Sequence, residues 1–110
     1  MAPTKPTLLQ GTVDLLILRA VSGGPAHGYA ISHWVRERTD GVLAMDDAAL
    51  YQALHRLEER TLLEATWGLS ENNRRAKYYA LTVAGRRQLR TEASTWRRYA
   101  EAVFKVLEPA

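Results

Sequence analysis

The C-terminal stretch constrains the fold more than any other part of the chain. Leu89, Ala93, Trp96, Ala100, Val103 and Leu107 recur at alternating intervals of four and three residues before Pro109. This is the a/d spacing of a coiled-coil seam. With Thr82 as a capping residue, such a helix runs for about 25 residues and spans about 37 Å. A chain of 110 residues builds one core of modest size, and a helix that long reaches past it. The exposed seam then needs a cover, and a second copy of the chain supplies one by symmetry.

The N-terminal stretch Leu8 to Val21 points the same way. Leu9, Val13, Leu16 and Ala20 form one helical stripe, and Leu8, Leu15 and Leu18 add a second. A short helix that is apolar on two sides has two surfaces to bury. Leu8, Leu15, Leu89, Ala93, Trp96, Ala100, Val103 and Leu107 are therefore the expected dimer contacts, with the last helix of one copy packed on the first helix of its partner. Ser22-Gly23-Gly24-Pro25 stops the first helix, because glycine supplies left-handed geometry and proline lacks a donor.

Between these ends the period changes twice. Ala30, Ile31, Trp34 and Val35 mark a second helix from about His27 to Arg38, ended near Asp40-Gly41. Asp46 or Asp47 can cap a third, in which Leu50, Leu54 and Leu57 face inward. Leu63–Trp67 and Lys77–Leu81 then read as two short strands around a polar turn from Gly68 to Arg75. Trp34 and Trp67 are expected in the core or at a subunit contact.

The order helix, helix, helix, hairpin, long helix predicts a mainly α fold with a small β-hairpin. It is the layout of a winged helix-turn-helix with a long C-terminal dimerisation helix. The winged part covers residues 1–82, with the wing at about 62–82. The dimerisation helix covers 83–110, within one structural unit.

In this layout the third helix enters a DNA major groove, which requires a rigid apolar inner stripe and an outer face of hydrogen-bonding groups. Tyr51, Gln52, His55 and Arg56 point away from the leucine stripe and form that face. Arg56 has an alternative partner one turn on, Glu59. Charge is distributed accordingly. Residues 71–98 carry eight lysines and arginines against two glutamates, net +6, while the rest of the chain is net −3. Arg74, Arg75 and Lys77 sit at the hairpin, where neutralising phosphates would release counterions.

Other chemistries lack their signatures. There is no Gly-rich phosphate loop and no nucleophile elbow, so no enzymatic activity is expected. His27, His33 and His55 lack metal-ligand spacing, and there is no cysteine to form a thiolate site or a disulfide. No metal or cofactor is expected. The longest early apolar run, Leu15 to Val21, is broken by Arg19, which predicts a cytoplasmic protein without a membrane segment.

Three separated blocks carry a family resemblance: His27-Gly28-Tyr29-Ala30-Ile31, then Leu50-Tyr51-Gln52-Ala53-Leu54-His55-Arg56-Leu57-Glu58, then Arg75-Ala76-Lys77-Tyr78-Tyr79-Ala80-Leu81-Thr82-Val83-Ala84-Gly85. In this order they resemble the PadR family of bacterial transcriptional regulators, in its smaller subclass with a single C-terminal helix. The resemblance implies a homodimeric repressor on a palindromic double-stranded DNA operator, released in many members by a small hydrophobic or aromatic effector. By position it implies Tyr51 at the DNA surface, Arg74, Arg75 and Lys77 in the wing's basic cluster, and Trp96 at a ligand pore between subunits. The chain departs from the family pattern at Ala48-Ala49, where glycine and then serine or threonine is frequent. It departs also at Gln52, where proline is frequent, and at Thr61, where a turn glycine is. The alternative readings are a winged-helix module that binds a protein instead of an operator, and a MarR-like regulator.

Overall fold

The computed structural model describes residues 11–109 as four helices and a three-stranded antiparallel sheet. Helix α1 is Thr12–Ala20, strand β1 Ala26–His27, helix α2 Gly28–Arg38 and helix α3 Asp47–Glu59. The wing is β2, Leu63–Leu69, and β3, Arg75–Leu81, and the chain ends in helix α4, Val83–Leu107. The sheet order is β1-β3-β2. The fold class is thus the winged helix read from the sequence, and the long final helix is present. Leu8 lies outside the described residues.

Each boundary has a local cause. The His27 Nδ1 accepts the Ala30 N–H at 3.2 Å, so the imidazole itself caps α2. Asp46 Oδ1 does the same for α3, accepting the Ala49 N–H at 2.7 Å. Helix α2 ends where Asp40 and Gly41 turn to positive φ, 52° and 80°. Thr82 closes the junction of wing and last helix. Its Oγ1 accepts the Gly85 N–H at 2.9 Å and donates to the Thr61 carbonyl at 2.7 Å. A Cβ on Gly85 would stand 2.0 Å from the Leu62 carbonyl oxygen, so only glycine allows α4 to start this close to the wing.

The core is Ile17, Leu18 and Val21 of α1, Ile31 and Val35 of α2, Leu50, Ala53, Leu54 and Leu57 of α3, with Met45, Leu62, Leu63 and Tyr79. Of the two stripes read on the first helix only Leu18 is fully buried among the described residues, while Val13, Leu16 and Ala20 pack partly buried against the core. The buried face of α1 runs Asp14, Ile17, Leu18, and a charged residue in that row hides it from a count of apolar spacing. The other side of α1, with Leu15 and Leu16, faces Leu89, Ala93, Trp96 and Ala100 of its own α4. One chain therefore supplies part of the cover that the sequence assigned to a partner.

The wing lies within its expected bounds of about 62–82, but its strands are longer than expected, with seven residues each. The turn shrinks to Ser70–Arg74, closed by the Ser70 N–H on the Arg74 carbonyl at 2.8 Å and by Asn73 at φ 59°. β1 went unread because two residues are too few to show a period; it pairs Ala26 with Tyr79 and His27 with Tyr78. Among the described residues no helix is long and apolar enough to cross a membrane.

Candidate nucleic-acid interface

Helix α3 presents the two faces that a recognition helix needs. Leu50, Ala53, Leu54 and Leu57 are buried to within about 1% of full enclosure and fix the rod in the core. On the outside, Tyr51 is 54% exposed, and Gln52 and His55 are exposed beside it. The Tyr51 ring lies over Gly28 at the start of α2, where a Cβ would come within 2.9 Å of its hydroxyl oxygen. Glycine at 28 thus leaves room for the tyrosine to lean towards the wing. Ala48 is exposed and Ala49 half-buried at the head of α3, so neither brings a hydroxyl to this face. Asp46 is the side chain that satisfies the first turn.

Three of the expected DNA contacts, His55, Arg56 and Lys77, are engaged by carboxylates. Arg56 does not pair with Glu59. Its Nη2 donates to Asp14 Oδ1 at 2.5 Å and its Nε to Asp14 Oδ2 at 3.4 Å, a fork that ties α3 to α1. The Asp14 side chain is 12% exposed and Arg56 48%, so the pair lies at the edge of the core. The hydrogen bond to Asp14 raises the Arg56 pKa further, against the opposing cost of burial. Glu59 pairs instead with His55 Nε2 at 2.9 Å. Lys77 reaches back from the wing to Glu58 Oε1 at 3.0 Å, and this hydrogen bond raises its pKa. Burial raises that of Tyr79, which lies under Lys77.

The strand register explains the wing's shape. Leu63, Ala65, Trp67 and Leu69 share one face with Leu81, Tyr79, Lys77 and Arg75, their partners across the ladder. Near the helices this face covers the core, through Leu63 and Tyr79. Further out the core ends while the sheet goes on. Trp67 is therefore 60% exposed in one chain and stands outside the core, the first of its two expected places. Alternation assigns a residue to a face; it does not say how far the core extends under that face. Trp34 is half-buried against the core, with Arg19 and Arg38 over its ring.

The overhanging face of the wing and the outer side of α2 and α3 enclose a groove of about 610 Å³. Tyr29, Tyr51 and His27 line the helical wall, and Trp67, Arg75 and Lys77 the wing wall, with Ser70, Glu71 and Asn72 at the tip. Arg74 is exposed at the turn itself. Tyr29, stacked on His33 with centroids 6.0 Å apart, and Trp67 were not among the residues expected in this site. A long-range pair such as Asp14 with Arg56 has no local sequence signal at all.

A second surface lies on the opposite side of α1. Trp96 is 43% exposed and separates two hollows, of about 330 and 440 Å³, both bordered by Leu15. Tyr99 meets its indole edge-on at 6.5 Å. Beyond them Val103, Phe104, Val106 and Leu107 are exposed. Of these, Phe104 and Val106 fall outside the a/d seam.

Three helices, a two-stranded wing and a polar-faced third helix define a winged helix-turn-helix protein. The model of the PadR-like family of transcriptional regulators matches residues 17–91, and the chain belongs to that family. It is similar to a transcriptional regulator from Clostridium thermocellum, with a TM-score of 0.81 and 28% identity over 90% of this chain and 93% of that one. A PadR family transcription regulator from Clostridium difficile superposes with a TM-score of 0.77 at 29% identity, covering 89% of this chain and all of the other. An uncharacterised protein of Lysinibacillus sphaericus is 29% identical over 92% of this chain and 93% of its own length.

Proposed function

We propose that the chain is a homodimeric, DNA-binding transcriptional repressor of the cytoplasm, acting by occupying an operator and not by catalysis. The observation that carries this reading is the shared groove. Tyr51 of the exposed α3 face and Arg75 and Lys77 of the basic wing line the same concavity, as they must if a duplex is to meet both. Tyr51, Gln52 and His55 contact the major groove, while Arg74 and Arg75 hold the flanking phosphates. Arg56, held by Asp14, fixes the recognition helix on α1, and Lys77, held by Glu58, fixes the wing on the recognition helix.

Two such units joined through α4 read a palindrome, with half-sites about 34 Å apart or a multiple of that. The exposed Trp96, Val103 and Leu107 support that joining, together with Leu15, Leu89, Ala93 and Ala100 around the hollows. The flat walls that Trp96 gives to both hollows suit a small aromatic effector. Such a guest regulates only if it binds one spacing of the recognition helices better than another.

The test is a titration with the duplex upstream of the protein's own coding sequence at several salt concentrations. Affinity should exceed that for a shuffled duplex and fall steeply with salt. The double variant R74E/R75E should abolish binding. Equal affinity for both duplexes with no salt dependence would remove the proposal and leave a winged module for a protein partner.

A further inference from the structure

Resting on the DNA-reading account, we infer that Trp67 is a positioning residue that presents Arg75 to the sugar-phosphate backbone of the strand lying between α3 and the wing. Trp67 points to the inner face of the sheet but gains no enclosure there, being 60% exposed. What it touches is Arg75, whose guanidinium carbon lies 4.5 Å from the indole centroid. The two residues are diagonal neighbours on that face, since Arg75 pairs with Leu69 and Trp67 with Lys77.

The chemistry of the pair favours an oxygen acceptor in the groove. A guanidinium uses its flat face on an aromatic ring and keeps its N–H edge for oxygens. Arg75 has no ion-pair partner among the described residues, whereas Lys77 beside it is taken by Glu58. Both residues border the groove, opposite the Tyr29 and Tyr51 rings. A long arginine side chain loses rotamer freedom when it grips a phosphate. Stacking restricts that freedom beforehand, so the indole acts on affinity through the arginine.

The experiment is a double-variant cycle on Trp67→Ala and Arg75→Ala, with Trp67→Tyr as the conservative control. Binding to the upstream duplex is measured against salt, and thermal unfolding of each variant is followed in parallel. Trp67→Ala should weaken binding by roughly fivefold to tenfold without changing the salt slope or the melting temperature. Trp67→Tyr should restore most of the loss. Arg75→Ala should weaken binding and flatten the slope by about 0.9 per half-site. Adding Trp67→Ala to Arg75→Ala should cost nothing more. Full additivity would overturn the inference, as would an unaltered Trp67→Ala affinity or a loss explained by a lowered melting temperature, while the DNA-reading account survived. A wild-type protein indifferent to DNA would overturn both.

Discussion

At the scale of single residues, two positions at the entry and exit of the wing set opposite expectations. Thr61 has φ 58°, a left-handed conformation that costs a β-branched residue about 1–2 kcal/mol. Glycine there removes that strain and returns part of the gain through a more flexible unfolded chain. Thr61→Gly should therefore stabilise the protein by about 0.5–1 kcal/mol in a denaturant titration, and a loss of stability would contradict the assignment. Gly85 is the reverse case. The carbonyl oxygen that a Cβ would strike at 2.0 Å belongs to the backbone of the turn, so neither partner can swing aside. Gly85→Ala should cost about 3 kcal/mol or more by the same titration; a change below 1 kcal/mol, roughly the ordinary cost of a surface substitution, would mean the junction is loose. Thr61 was legible in the sequence as an unusual residue for a tight turn. The reason Gly85 is glycine was not, because the carbonyl it avoids lies 23 positions away in the chain.

At the scale of elements, α3 depends on a charge pair where a purely apolar face was expected. Leucines 50, 54 and 57 were readable from their spacing and are all buried. The partner face of α1 was not readable, because Asp14 interrupts it, and Asp14 makes sense only once α3 brings Arg56 to it. Arg56 is half exposed, so the penalty for leaving it alone is well below that of a fully buried charge. Asp14→Ala should lower stability by about 1–2 kcal/mol. Asp14→Leu combined with Arg56→Met should recover most of it, since an apolar pair of similar size avoids desolvation altogether. Thermal unfolding decides the matter, and an unchanged transition in Asp14→Ala would show that the fork anchors nothing. The wing followed a similar logic. Its period-2 pattern and its basic tip were visible, whereas its reach beyond the core depends on where the helices stop, which no strand records. Trp67 lies outside the core for that reason.

At the scale of the whole molecule, one chain measures 55 × 37 × 21 Å, and its long axis suits a rod that outruns the core. The heptad spacing in the sequence anticipated α4, and the side chains from Glu101 to Pro109 are all exposed. What spacing alone could not separate was the first half of the seam, which meets α1 of the same chain at Leu89 and Ala93, from the second half around Val103 and Leu107, which stays exposed among the described residues. We assign that second half to a partner copy, which would place two recognition helices on one face of DNA. Hydroxyl-radical footprinting of the upstream duplex tests this most directly. Two protected patches should appear, related by a two-fold axis and centred about 34 Å apart or a multiple of it, with wing contacts on their outer flanks. A single patch, or uniform protection without a repeat, would contradict it.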